Sequence, residues 1–410
     1  MKNQLEELAV LGGKPFFARP LHVGSPNLGD RRRLMTRIED LLNRRWFTNN
    51  GPFVREFEQR VAYLVNVRNC VAMCNATKGL ELVARALGLH GEVIIPSFTF
   101  VATAHALQWQ QITPIFCDVD ATSHNIDPDC VERMITPKTT GIIGVHVWGR
   151  PCNTERLAEI ATRRGLTLLF DAAHAFSCTR GGRMIGGFGA AEVFSFHATK
   201  FFNTFEGGAV VTNDDALARK LRLMNNFGFS GYDNVIYLGT NGKMNEVCAA
   251  MGLTNLECLE DFVETNRRNY RAYRQNLAGV SGVTVIEYDE TERCNYQYIV
   301  LEIDEKQAGV SRDTLMHLLH AENVLARRYF YPGCHGMEPY HSDFPHWELL
   351  LPNTRRLCSR VLSLPNGQAI GESQIQEICS LIKFVLGLSL REKGRLKEVV
   401  GAEEPEAVLV

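Results

Sequence analysis

This chain of 410 residues lacks several features that would narrow its function at once. No apolar run reaches the roughly 18 residues that a membrane-spanning helix needs, so no membrane partner is expected. The opening residues, Met1-Lys2-Asn3-Gln4-Leu5-Glu6-Glu7-Leu8, contain no apolar core of the secretory kind, and a signal peptide is not expected either. Charge of one sign is missing. Lys and Arg number 44 against 46 Asp and Glu, a net charge of −2. That balance offers no electrostatic footprint for nucleic acid or an anionic surface. The 12 cysteines form no Cys-x-x-Cys pair, and the 12 histidines show no metal-ligand spacing. No metal site is expected. Dispersed thiols in a long chain read as reduced and cytoplasmic, each a small buried hydrophobe. Repeats and low-complexity stretches are absent as well.

What is present suggests an α/β protein with a large core, since 45% of residues are hydrophobic and 22% charged. Short β-rich runs recur at wide spacing: 92–95, 114–118, 141–147, 166–170, 192–196 and 208–212. Near-continuous apolar runs suit strands covered on both faces. Helix-like segments lie between several of them, such as Thr154 to Arg164 behind the N-cap candidate Asn153. Alternation of this kind predicts βαβ units and a largely parallel central sheet, with ligands outside the C-terminal strand ends. Asp118, His146 and Asp171 fall near such ends. A large unit is expected over 1–260, including the N-terminal segment, and a smaller α+β unit over 261–390. The smaller unit has strand candidates at 296–303 and 324–331 and helix candidates at 312–321 and 372–386. A polar tail, 391–410, rich in Glu and Lys, is expected to be loosely ordered.

The most informative run is Ser195-Phe196-His197-Ala198-Thr199-Lys200, followed by Asn203 and Glu206-Gly207-Gly208. Upstream, Phe170-Asp171-Ala172-Ala173-His174 places a carboxylate at the end of an apolar stretch. A lysine that can form an imine, with an acid that can keep a pyridine nitrogen protonated, is what pyridoxal 5′-phosphate chemistry requires. Alone, Lys200 would read as a surface lysine and Asp171 as a turn residue. Asn75-Ala76-Thr77-Lys78-Gly79-Leu80 stands between an apolar run and a helical pattern. A helix start there would offer unpaired backbone N–H groups to an anion. By contrast, Gly181 to Gly189 is glycine-rich but does not run from strand into helix, so it is a turn-rich loop and no dinucleotide fingerprint.

These motifs resemble the DegT/StrS-type nucleotide-sugar aminotransferases, of the aspartate-aminotransferase-like fold (fold type I of the pyridoxal phosphate enzymes). The likeness extends from Leu11-Gly12-Gly13 and Asn50-Gly51-Pro52 to Leu362-Ser363-Leu364-Pro365. It is closest to the 4-aminotransferases of the desosamine pathway type. The resemblance implies that Lys200 carries the cofactor and moves protons, and that Asp171 pairs with its ring nitrogen. It further implies that Ala76, Thr77 and Ser195 bind the phosphate, with Asn226 reaching into the neighbouring subunit's phosphate site. His174 lies where the family has a Gln or His near the ring. Phe100, in the segment Pro96 to Thr103, is the stacking candidate, with Phe98 as fallback. Phe227 after Asn226 and Lys78 after Thr77 depart from the family pattern.

On the substrate side the resemblance points to His146 and Trp148, to Lys243, and to Tyr331 and His335. Arg327 and Arg328 are either a diphosphate clamp or a solvated edge pair. The implied reaction takes an amino group from L-glutamate, passes it through pyridoxamine 5′-phosphate, and delivers it to a dTDP-4-keto-6-deoxyglucose. The implied assembly is a homodimer with its active site at the subunit interface. Amination at C3 of a 3-keto isomer stays open, as does a non-catalytic regulatory protein of the same fold. The dehydratase relatives carry a His where this chain has Lys200.

Overall fold

A computed structural model describes residues 2–401. Its centre is a seven-stranded sheet: β1 (Asn69–Met73), β2 (Glu92–Pro96), β3 (Thr113–Cys117), β4 (Thr139–Val145), β5 (Thr167–Asp171), β6 (Ala191–Ser195) and β7 (Gly208–Thr212). The spatial order is β1-β7-β6-β5-β4-β2-β3, and only β7 runs antiparallel to its neighbours. The six strands expected between 92 and 212 are all present in this sheet. β1 was not among the expected strands: its sequence, Asn-Cys-Val-Ala-Met, holds a single β-branched residue. Val93, Ile94 and Ile95 are fully buried, as a sheet covered on both faces demands.

The helices begin where short polar side chains can cap them. Helix α1 (Arg31–Arg44) starts after Asp30, whose carboxylate accepts from the N–H groups of Arg32 and Arg33. The helix α2 spans Pro52–Leu64, with Pro at its first turn. Helix α3 (Ala76–Ala86) is capped by Asn75. Helix α4 (Ala102–Gln108) follows β2. Helix α5 (Thr154–Arg164) is capped by Asn153 and ends at Gly165 with φ 65°. The pairing of β1 to β7 and of α3 beside them puts the loop after β1 next to the loop before β7.

A second layer begins with helix α6 (Leu259–Leu277). It carries a three-stranded antiparallel sheet of β8 (Val283–Val285), β9 (Ile299–Ile303) and β10 (Val361–Leu364), in the order β8-β9-β10. Helices α7 (Arg312–Ala321), α8 (Glu372–Gly387) and α9 (Leu390–Gly401) pack with it.

Three expectations are corrected here. The strand expected at 324–331 is only Val324–Leu325: Ala326 N–H folds back onto Val324 O, Arg327 makes an isolated bridge to Ser363, and 329–332 turn, with Tyr331 N–H donating to Arg328 O. The tail expected to be loose from Arg391 is helical as far as Gly401. Leu396 is buried in the core of the small unit, and the buried Lys393 ammonium donates to the carbonyls of Ala308 and Leu386. The rest of that tail lies outside the described residues. Lastly, the segment 2–22, expected in the large unit, packs on the small one, whereas α1 and α2 lie in the core of the large unit. Leu5, Leu8 and Phe17 share one core with Leu315, Leu319 and Ile375 of the small unit, and Leu21–His22 pairs in parallel with Val324–Leu325. Glu322, 1% exposed, fastens it: its carboxylate accepts from Lys2 Nζ, Ala9 N–H and Phe16 N–H. An apolar, turn-forming segment buries itself where a core has room, not where chain order suggests.

Candidate active site

Lys200, Asp171, His174, Thr77 and Ser195 lie at or just beyond the ends of β1, β5 and β6, and Phe100 follows β2. The register keeps them together. Asp171 ends β5, opposite Val145 of β4 and Val193 of β6, and Ser195 ends β6 opposite Gly208 of β7.

Lys200 is partly buried and its Nζ donates to the Tyr298 hydroxyl at 3.1 Å. Burial pushes its pKa down to about 8, against the pull of the Asp171 carboxylate. Asp171 is 5% exposed. One carboxylate oxygen accepts from Thr103 Oγ1 at 2.8 Å and the other from Ala173 N–H at 3.0 Å. Burial raises its pKa, and those two hydrogen bonds oppose the rise. Thr103 also shares a hydrogen bond with Thr99 Oγ1 at 3.1 Å, so a chain of hydroxyls from the segment after β2 ends on the carboxylate.

His174 is buried, and its ring lies 4.5 Å from Tyr298 between centroids. Its Nδ1 accepts from Trp148 N–H at 3.3 Å, which leaves the proton of a neutral ring on Nε2. Neutral is the form that burial imposes, with Lys200 adding to the fall in its pKa.

At the start of α3 the Asn75 side chain accepts from Lys78 N–H and the Asn75 carbonyl from Gly79 N–H. The N–H groups of Ala76 and Thr77 are left facing outward from the helix end, where the dipole favours an anion. Gly208 keeps this turn open: a Cβ there would stand 2.6 Å from Ala76 N and 2.7 Å from Asn75 C. Lys78 is turned away from the turn and paired with Glu81. Ser195 is partly exposed at the end of β6. Phe100 is 57% exposed, whereas Phe98 is fully buried against Trp148 and Phe330, so only Phe100 has a free face.

Asn226 and Lys243 are brought together, with Lys243 Nζ donating to Asn226 Oδ1 at 2.7 Å and lying 4.8 Å from the Phe227 ring. Phe227, the departure from the family pattern, thus carries a cation on its face. Their segment adjoins the α3 start, because Cys74 N–H donates to Gly242 O and Met73 pairs with Lys243.

Three residues expected on the substrate side lie buried near the site. His146 is fully buried beneath the sheet end: Nδ1 accepts from Cys152 N–H, Nε2 meets Glu192 at 3.3 Å, and the ring stacks on Phe170. Trp148 is 1% exposed, wedged among Phe98, Phe330 and Tyr298. His335 is 5% exposed and shares a hydrogen bond of 2.7 Å with Ser97 Oγ. All three follow strands or turns near the site, but their polar atoms or ring faces are already satisfied within the fold. Tyr331 is half-exposed, with the Arg328 guanidinium 4.2 Å above its ring. Arg328 pairs with Asp313 at 2.8 Å, so of the two arginines only Arg327 is without a carboxylate partner among the described residues.

No motif marked Tyr298, which comes from the other unit. Thr103 had a faint signal, a hydroxyl spaced four residues after Thr99. The set as a whole offers an amine of lowered basicity, a buried carboxylate and an anion-binding helix start. Those are the groups needed to hold pyridoxal 5′-phosphate at its aldehyde, ring nitrogen and phosphate. The described residues contain no cluster of His, Cys, Asp and Glu fit for a metal.

Comparison with known proteins agrees with this geometry. The model of the DegT/DnrJ/EryC1/StrS aminotransferase family matches residues 30–383. A dTDP-4-amino-4,6-dideoxy-D-glucose transaminase of Shigella dysenteriae is 35% identical over 90% of this chain and 99% of its own. Its namesake in Escherichia coli is 33% identical over 89% and 98%. The crystal structure of DesI in the presence of its TDP-sugar product has a TM-score of 0.91 and 49% identity, covering 96% of this chain and 99% of that one. DesV of S. venezuelae, in complex with a ketimine intermediate, has a TM-score of 0.82 and 28% identity, covering 88% and 95%. The chain belongs to the DegT/DnrJ/EryC1/StrS aminotransferase family and is a pyridoxal-5′-phosphate-dependent aminotransferase.

Proposed function

We propose that this aminotransferase moves the amino group of L-glutamate to C4 of dTDP-4-keto-6-deoxy-D-glucose, giving dTDP-4-amino-4,6-dideoxy-D-glucose for deoxyaminosugar synthesis. The observation that carries this reading is the 49% identity, over nearly the whole of both chains, to DesI with its TDP-sugar product. The name borne by the Shigella relative points to the same product.

Pyridoxal 5′-phosphate, when bound, supplies an aldehyde that takes up amines and a protonated ring that draws electrons from the carbon being deprotonated. Lys200 would hold the aldehyde and later carry the proton, and its lowered pKa enlarges the neutral fraction able to do so. Asp171, steadied by Thr103, would hold the ring nitrogen protonated. The Ala76 and Thr77 N–H groups and Ser195 would take the phosphate. His174, with its proton on Nε2, would serve the ring or its phenolic oxygen. Phe100 would cover a ring face. Lys243 and Tyr331 retain exposed surface and stand as the substrate-side groups.

A homodimer fits this reading. Phe227, Phe229, Tyr232, Ile236 and Leu238 form an exposed apolar arm next to Asn226, with Tyr232 98% and Leu238 70% exposed. A second copy covering that arm would bring Asn226 to its partner's phosphate turn.

The test is a two-step spectral assay. L-glutamate should bleach the cofactor band of the loaded enzyme, and dTDP-4-keto-6-deoxy-D-glucose should restore it with a 4-amino sugar seen by mass and NMR. Return of the band only with a 3-keto sugar would refute the substrate, and no bleaching would refute the donor. Light scattering of the eluting protein at one subunit's mass would refute the dimer.

A further inference from the structure

We propose that Tyr298 is a catalytic residue whose hydroxyl holds the Lys200 amine in position while it is detached from the cofactor and carrying a proton. This deepens the reading above and rests on Lys200 being the amine in question.

Among the described residues the Lys200 amine has one hydrogen-bond partner, the Tyr298 hydroxyl at 3.1 Å, and that hydroxyl has no other. Asp171 is not within ion-pair distance of Lys200, so the carboxylate does not anchor the amine. Tyr298 is held on all sides. Its N–H donates to the Tyr288 hydroxyl, and the Tyr288 hydroxyl lies 2.8 Å from the Tyr298 carbonyl and 3.0 Å from that of Trp148. Its ring touches His174 and Trp148, with centroids 4.5 and 5.3 Å away. A clamped hydroxyl is a fixed reference point for a flexible four-carbon side chain.

The chemistry suits the task. Burial, then the neighbouring Tyr329 and Tyr288, keep the phenol neutral well past its ordinary range. A neutral phenol accepts from an ammonium and donates to a free amine, so it can stay bonded to Lys200 in both protonation states. Asp171 could serve only the ammonium. Tyr298 also enters from the strand β9 side of the small unit. The free amine is therefore steadied by a different unit from the one that carries Lys200.

The test uses Tyr298→Phe, which removes one oxygen and keeps the ring contacts. Cofactor attachment at Lys200 is read by borohydride reduction and peptide mass in both proteins, and thermal unfolding checks the fold. In cofactor-free protein, competitive labelling of Lys200 across pH reads the amine's own titration. Loss of the charge-assisted hydrogen bond should lower its midpoint by about one unit. In the loaded enzyme, the single-turnover rate with L-glutamate should fall roughly 10- to 100-fold, with a larger isotope effect from Cα-deuterated glutamate. An unmoved titration midpoint together with an unchanged single-turnover rate in a folded, cofactor-attached variant overturns the proposal. Wild-type protein that never attaches cofactor at Lys200 overturns the underlying assignment as well, a different and recognisable failure.

Discussion

Replacing Thr103 with Val tests whether the hydroxyl on Asp171 matters to the cofactor. The substitution removes the donor lying 2.8 Å from one carboxylate oxygen and leaves Ala173 N–H on the other. A hydrogen bond to a charged group is worth about 1.5–3 kcal/mol. At about 1.4 kcal/mol per pKa unit, the carboxyl should become harder to ionise by roughly one to two units. Burial already raises it, so the change would come on top of an existing handicap. An ionised Asp171 is the form that pairs with a protonated ring nitrogen. Affinity for pyridoxal 5′-phosphate should therefore drop about 10- to 100-fold, measured by fluorescence titration of cofactor-free protein. Thermal stability is a poorer readout, because the same change strips Thr99 of its partner and costs about 1–3 kcal/mol by that route alone. Thr103→Ser restores the oxygen and should bind within about threefold of wild type, a rescue that follows from the hydrogen-bond energy above. A Val variant binding as tightly as wild type would refute the argument.

Other perturbations give distinct signatures. Lys200→Ala should abolish multiple turnovers yet still bind pyridoxamine 5′-phosphate, and continued turnover would remove Lys200 from the chemistry. Gly208→Ala puts a Cβ 2.6 Å from Ala76 N, backbone against backbone, so it should cost about 1–3 kcal/mol of stability and weaken phosphate-dependent cofactor retention in dialysis. Lys200 also shapes stability against pH. Its folded pKa of about 8 lies below the ordinary 10.5, so the unfolded chain binds more protons between these values and stability rises with pH there. Below pH 8 the full penalty applies. Lys200→Met should then raise the stability of cofactor-free protein at pH 7 by at most about 3 kcal/mol, read as a higher unfolding temperature, with the gain shrinking toward pH 10. Equal gain at both pH values would contradict the burial argument.

Much of the sheet was legible because its signal is local. Runs such as Val93-Ile94-Ile95 admit few alternatives to a buried strand, and Asn153 and Gly165 mark both ends of α5. Lys200 and Asp171 were legible through their motif. What the chain order hides are contacts closed over long separations. Thr103 meets Asp171 from 68 residues away and Tyr298 meets Lys200 from 98. The burial of the substrate-side candidates has the complementary cause. His146 and His335 carry polar atoms that a ligand could use, but Glu192 and Ser97 reach them first, and neither partner is near them in sequence. Burial likewise distinguishes Phe98 from Phe100, two residues apart with identical chemistry.

The fastening of the N-terminal segment by Glu322 has a consequence for how the chain is made. Ala9 and Phe16 wait for an acceptor 313 and 306 residues further on. At a synthesis rate of about 5–20 residues per second, that is a wait of roughly 15–60 s. The strands of the central sheet all lie between 69 and 212, so they emerge well inside that interval. During it, Leu5, Leu8 and Phe17 are apolar side chains with no core to enter. This segment is thus among the last to settle, and through that interval it is open to a chaperone or to a neighbouring nascent chain.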